Sequence, residues 1–385
     1  SDELEKFNRF FQFLEQRVAI VQIVTTEFST AWRIFEILNN RGLPLSNLDL
    51  LRNLVLEELD EAGRKDGDEL WDRLERTYDL PEDFTSRWAE TKVVQSLRGS
   101  AFNELQKLYR DRETYKPDPA RALSKIEVFV EDLERNLRWY NRWINFNHSD
   151  QVSDLPTQHA LAFIKLLGNE RYSANLILAL FRCCNYDGSR NKAVYSFLAT
   201  YRTYGLHVYL RERYSAASVY RAIRALNDGQ VEKARELFIL TEQQRNDLAE
   251  AIKGPHDNEA AKRLLAAYVW HQEEQSDDVA TQRLDVNSAT LEHIIPQDPA
   301  TGSNWLVDFD QPFRDEYINR LGNMTLLTQS KNSANRNFDF AKKRLIYEKS
   351  LLKITLDIAA QSKLTPEFFR LRHQKITTDL IQLFC

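Results

Sequence analysis

Leu291-Glu292-His293-Ile294-Ile295-Pro296 sets an acid and a histidine side by side ahead of an apolar pair and a proline. Further on the chain reads Asn323-Met324-Thr325-Leu326-Leu327-Thr328-Gln329-Ser330-Lys331-Asn332. In an extended strand neighbouring side chains point to opposite sides, so Glu292 and His293 can take separate tasks, one inward and one toward water. The second apolar run lies between two asparagines, Asn323 and Asn332. Beyond it Phe338, Ala341 and Leu345 fall three and four apart, which predicts an amphipathic helix. The expected order is therefore strand, strand, helix.

Those residue types suit one kind of chemistry. Phosphodiester hydrolysis needs a base that deprotonates water and a divalent cation that neutralises charge on the phosphate and the leaving oxygen. Mg²⁺ takes a few hard oxygen ligands and keeps several waters, so one carboxylate and one amide carbonyl suffice for the protein's share. Glu292 and Asn332 are the expected ligands of one Mg²⁺ or Mn²⁺, and His293 is the expected base. Asn323 joins it as a candidate catalytic residue, expected to bridge the backbone of the loop carrying His293 and to act on structure more than on chemistry. The set is laid out as in an HNH (ββα-metal) nuclease site, and cleavage of DNA is the leading expectation.

From Lys331 to Lys353 seven Lys or Arg stand against two acids, Asp339 and Glu348, a local +5 on a chain whose total is −5. Arg336, Lys342 and Lys343 are accordingly expected to contact DNA phosphates. Plainer readings exist for each piece: a Glu-His pair is usually surface or core, asparagines usually make turns, and basic residues usually solvate a helix face. The ordered combination favours the nuclease.

The strings LEHIIPQ, RLGNMTLLTQSKN and FDFAKKRLIYEKS resemble the HNH domain of the GmrSD-type restriction endonucleases. Upstream, the stretch from Ala31 to Asn53 resembles the closing part of that family's N-terminal ParB-like domain. The resemblance covers residues 20–56 and 286–350, and the helices between match no pattern. It implies a bacterial protein of phage defence acting on modified DNA or in a modification-linked context, similar to the phosphorothioate-sensing relatives. Full-length members open with a nucleotide-hydrolysing region bearing an Asp-Gly-Gln-Gln-Arg type motif, which is absent here. The chain starts at Ser1 and Met324 is its only methionine, so the expectation is a C-terminal fragment whose NTPase region is a missing partner.

Composition bounds the rest. At 385 residues, with 11 Gly and 10 Pro, the chain is long enough for two or three domains with proper cores. No run of 18 or more apolar residues and no signal-like start is visible, so a cytoplasmic protein without membrane insertion is expected. Three cysteines, Cys183 and Cys184 adjacent and Cys385 terminal, offer no disulfide framework. Thr328 and Lys331 stand where a zinc-braced HNH domain carries one Cys pair. No structural zinc is expected, and Ile294, Leu326, Leu327, Phe338 and Leu345 are assigned to hold the unit by packing.

The fold class expected is mainly α, an irregular helical bundle carrying a small ββα-metal (HNH) nuclease module. Residues 1–60 read as the tail of a ParB-like domain with connecting helices, including a helix over 3–17, a strand over Val18–Thr25 and a capping-box start at Ser46. Residues 61–285 read as a helical middle domain, 286–350 as the nuclease module, and 351–385 as C-terminal docking helices. In the middle domain Asp118-Pro119 opens a long helix, and periodic segments fall near 154–168, 172–184, 190–211, 215–227, 230–252 and 258–275. A polar linker over 272–287 leads to the module. Thr365-Pro366 starts a last helix docked by Phe368, Leu371, Ile376, Leu380 and Leu383.

Glu57 to Glu90 holds 13 acids against five bases, which reads as a solvated helical face more readily than as a wall repelling DNA. Two mixtures of arginine and aromatic residues, one around Arg135 to Trp143 and one from Tyr201 to Arg224, are secondary candidates for nucleic-acid contact. The competing functions are a catalytically weak DNA- or partner-sensing module and an RNA-cleaving nuclease.

Overall fold

The structure, a computed structural model, describes residues 2–18, 46–57, 61–111, 125–144, 155–211, 215–275, 289–328 and 337–385, with single positions at 24, 30, 34, 59 and 114. The strand expected over Val18–Thr25, the helix start at Asp118, and Asn332 and Arg336 fall outside the described residues, except Val18 and Val24. The chain is mainly helical: α1 (Asp2–Arg17), α2 (Asn47–Glu57), α3 (Glu61–Thr77), α4 (Phe84–Val93), α5 (Ala101–Arg110), α6 (Lys125–Ile144), α7 (Leu155–Leu166), α8 (Glu170–Cys183), α9 (Lys192–Arg211), α10 (Ala216–Asn227), α11 (Val231–Glu236), α12 (Glu242–Lys253) and α13 (Asn258–Glu274). There follow β1 (Ala289–His293), α14 (Asn304–Asp308), α15 (Gln311–Tyr317), β2 (Met324–Thr328), α16 (Phe340–Tyr347), α17 (Lys353–Ala359) and α18 (Pro366–Phe384). Among the described residues no helix is long and apolar enough to cross a membrane.

Two compact units form, residues 1–77 with 100–130 and residues 78–99 with 131–385. In the first, Ser46 and Asp49 make a reciprocal cap: the Asp49 amide donates to Ser46 Oγ at 3.1 Å and the Ser46 amide donates to Asp49 Oδ2 at 3.1 Å. The α2 helix so started buries Leu51, Leu54 and Val55 and packs on α5, which buries Phe102, Leu105 and Tyr109. Part of the acidic run has a local task, since Arg52 Nη2 donates to Asp68 at 2.7 Å and to Asp72 at 3.0 Å.

In the second unit the helical segments fall close to the sequence periodicity, with one break. The segment expected over 230–252 divides into α11 and α12, because Thr241 caps α12 by accepting from the Gln244 amide while Gln244 reaches back to the Thr241 amide. Glu90 of α4 is 1% exposed and ties three elements together. It accepts from Arg171, from Asn175 Nδ2 at 2.7 Å and from the Leu97 amide at 3.1 Å. These donors hold its carboxyl below the usual range against the opposing pull of burial. Glu90→Ala orphans a buried amide and a backbone N–H at once. It is expected to cost about 2–4 kcal/mol, read as a fall in the urea midpoint with unchanged m.

The strands β1 and β2 pair antiparallel, with Glu292 opposite Thr325 and His293 opposite Met324. Two short helices that periodicity did not predict, α14 and α15, fill the connection and carry an aromatic ladder. Phe309 and Phe313 lie 5.5 Å apart, Phe313 and Tyr317 4.5 Å, and Phe309 meets Phe369 of α18 edge-on at 5.4 Å. The strand pair also packs against α13 and α17. The turn Leu321–Asn323 that starts β2 presses on α18 so closely that a Cβ at Gly322 would lie 2.5 Å from the Phe369 carbonyl oxygen, so only glycine fits. Arg372 Nη1 donates to the carbonyls of Leu321 and Gly322, each at 2.8 Å, and fastens the same joint.

Beside that joint, burial and then the positive charge of Arg320 push the His373 imidazole down to about 4. Its folded-state pKa lies below the ordinary value near 6.5, so the unfolded chain binds the extra proton between those pH values. The contribution is complete above about pH 6.5 and is lost as pH falls toward 4. His373→Gln is therefore expected to flatten the acid side of the stability–pH curve by about 2 kcal/mol, after allowance for solvent screening. Parallel curves for the two proteins would show that another group controls the acid limb.

The structure corrects part of the expected packing. Ile294, Leu326 and Leu327 are buried as assigned, but Phe338 is 41% and Leu345 61% exposed. The face of α16 turned inward is the one carrying Lys343 and Tyr347, both fully buried. In α18 Leu371 is exposed at 57%, and Phe369, Ile376, Leu380 and Phe384 make the buried stripe.

Candidate active site

Glu292 and His293 are the last two residues of β1, and strand alternation sends their side chains opposite ways. Glu292 turns inward and is buried, and His293 is half-buried. The strand end is clamped from below by Asn323, itself fully buried. Its Oδ1 accepts from the Ile295 amide at 2.8 Å, its Nδ2 donates to the Ile295 carbonyl at 3.1 Å, and its own carbonyl accepts from the Ile294 amide at 2.8 Å. A primary amide is the side chain that can both donate to and accept from one backbone residue in this way. The clamp fixes the backbone immediately after His293.

Lys343 reaches in from α16. Its Nζ donates to Glu292 Oε1 at 2.7 Å, to the His293 carbonyl at 2.7 Å and to the Ile294 carbonyl at 3.1 Å. Three acceptors match the three hydrogens of an ammonium, so the geometry describes a protonated lysine facing an ionised carboxylate. Tyr347 Oη donates to the same Glu292 oxygen at 3.2 Å. Burial raises the Glu292 carboxyl and lowers the Lys343 ammonium, and each opposes the other's shift. The assignment of Lys343 to DNA phosphates is thereby corrected: with no exposed surface and its hydrogens spent inside, it is an internal counter-ion. Lys342, its neighbour, is exposed and lies over the Phe338 ring at 5.1 Å.

The His293 imidazole is pushed down to about 4, first by burial and then by the Lys343 charge, and is neutral at pH 7. Gln297 Nε2 stands 3.3 Å from His293 Nε2. Whichever of the two donates, a neutral imidazole keeps one ring nitrogen without hydrogen. The lone pair on that nitrogen can take a proton from water.

Among the described residues no three His, Cys, Asp or Glu side chains gather as a metal site. The donors expected from the sequence are of another kind, a carboxylate and an amide, and the amide residue, Asn332, lies outside the described residues. Glu292 alone supplies a hard oxygen donor of the sort Mg²⁺ takes. Its Oε1 accepts from both Lys343 and Tyr347.

Sequence reasoning missed Tyr347 and Gln297. The available signal was the spacing of Lys343 and Tyr347, four apart and so on one helical face, together with an acid on a strand that needs internal partners. Gln297 lies four residues beyond His293, in a loop whose path periodicity does not report.

Residues 242–379 match the family model described as GmrSD restriction endonucleases, C-terminal domain, so that stretch is similar to this family's C-terminal domain. The match extends beyond the strand pair to α12, α13 and most of α18, the elements packed around the strands. No curated protein matches the chain. The likeness is to nucleases of restriction-endonuclease type.

Proposed function

We propose that the domain is a metal-dependent HNH endonuclease that nicks or cuts DNA in a bacterial anti-phage system and responds to modified DNA. The observation that carries this reading is the strand end itself. His293 is half-exposed beside a carboxylate locked by Lys343 and Tyr347, on a backbone clamped by Asn323. His293 takes the proton from the attacking water. Asn323 holds the backbone from which the imidazole projects, and Lys343 fixes Glu292 in rotamer and charge. Glu292 and Asn332 would hold one Mg²⁺ or Mn²⁺, which when bound supplies charge neutralisation at the phosphate and the leaving oxygen. Lys342 and Arg336 are proposed to meet backbone phosphates, a contact that positions DNA without reading its sequence.

Incubation of the protein with supercoiled plasmid and Mg²⁺ is expected to give nicked circles, with complete loss of activity in EDTA and recovery with Mn²⁺. Ribosomal RNA under the same conditions is expected to stay intact. Degradation of RNA with plasmid untouched would assign an RNA nuclease, and no cleavage of either in the presence of cation would assign a sensing module.

A further inference from the structure

Arg202, in the middle of α9, stands outside everything derived so far. It is 6% exposed, and among the described residues it makes no hydrogen bond or ion pair to protein. Its guanidinium lies over the Phe384 ring at 5.6 Å, and burial lowers its pKa, with Tyr195 and Glu274 opposing at longer range. A buried cation without a partner costs several kcal/mol relative to an apolar side chain of the same volume. Arg202 is not isolated from the exterior, however. It lines a cavity of about 520 Å³ between α9, α11, α12 and the end of α18.

The side chains that line the cavity carry charge of one sign, and the α-carboxyl group of the terminal Cys385 lies among them. Lys192, Arg202, Arg235 and Arg245 border it and no Asp or Glu does. Arg235 is partly engaged, donating through Nε to Glu232 at 2.8 Å, and Arg245 gives Nε to the Leu240 carbonyl at 3.3 Å. Ser196, Thr200 and Thr203 add hydroxyls, and Tyr195, Phe238 and Phe384 add ring surface. The volume falls within the range of small-molecule sites, and planar guanidinium groups match phosphate oxygens two at a time.

We propose that this cavity binds a phosphoryl anion of mononucleotide size, with Arg202 as its buried ligand and Lys192 and Arg245 at the rim. The phosphate could belong to a free nucleotide or to the end of a nucleic-acid strand, and the chemistry of capture is the same. The site lies in the bundle and does not depend on the reading of Glu292 and His293.

Calorimetric titration with inorganic phosphate, with AMP and with 5′-phosphorylated trithymidylate, each against chloride at equal ionic strength, tests the proposal. At least one phosphorylated probe is expected to bind with one-to-one stoichiometry. AMP binding without trithymidylate binding assigns a free nucleotide, and the reverse assigns a strand end. Arg202→Met is expected to weaken binding by at least about tenfold while leaving the thermal midpoint of the unliganded protein equal or higher, since it removes an unpaired buried charge. Should that variant fail to fold, Lys192→Gln with Arg245→Gln at the rim takes its place, with the same loss expected. No phosphate-specific binding by any probe, or binding unchanged in the folded variants, would overturn the assignment.

Discussion

Replacing Lys343 by Met is expected to cost about 3–5 kcal/mol of stability, a loss large enough to threaten folding at 37 °C. The substitution keeps the volume on the inner face of α16 and removes only the ammonium. Glu292 is left as a buried carboxylate without its counter-ion, and the carbonyls of His293 and Ile294 lose their shared donor. Breaking one side of a buried pair is far more costly than removing both. Glu292→Gln combined with Lys343→Met should recover a substantial part of the loss, and a double-mutant cycle in urea gives the coupling directly. A single Lys343→Met variant within 1 kcal/mol of the parent would show that the pair is not formed in solution.

The second large effect concerns activity alone. His293→Ala is expected to reduce plasmid nicking by roughly 10²–10⁴-fold, the usual contribution of a positioned general base. Stability should change little, because the imidazole is half-buried, contacts Gln297 at 3.3 Å and fills no large part of the core. Circular dichroism and the thermal midpoint of this variant should match the parent, while DNA binding in EDTA is retained. Wild-type nicking by the variant would remove His293 from the chemistry.

Contrasting outcomes at neighbouring positions separate structure from chemistry at this strand end. Lys343 and His293 lie within one network, yet one substitution should act on folding and the other on turnover. Lys343 has no exposed surface and cannot touch a substrate in this geometry, whereas His293 keeps a face toward solvent. Basic character counted along the chain did not distinguish them. A lysine in a run of lysines and arginines reads as surface until an acid from another element turns it inward.

Local rules located most of the regular structure. Ser46 and Thr365 announce the starts of α2 and α18, and in each case the side-chain oxygen accepts from the amide three residues on. The apolar pairs Ile294-Ile295 and Leu326-Leu327 mark the strand ends that are buried, because alternation and hydrophobicity act over a few residues and are written in the sequence. The adjacency of Glu292 and His293, and with it their opposite directions, follows from the strand alone.

Tertiary structure decided what those side chains do. Which face of α16 turns inward depended on a bond from Lys343 to a residue 51 positions away, and apolar periodicity chose the opposite face because it gives no weight to a buried charge. The same blindness applies to Arg202, which read only as part of an aromatic and basic stretch and is buried at a cavity whose walls come from four helices. Propensity and capping are local energies and can be read along a chain. The cost or use of a buried charge is set by whatever partner the fold brings beside it, and only the folded arrangement supplies or withholds that partner.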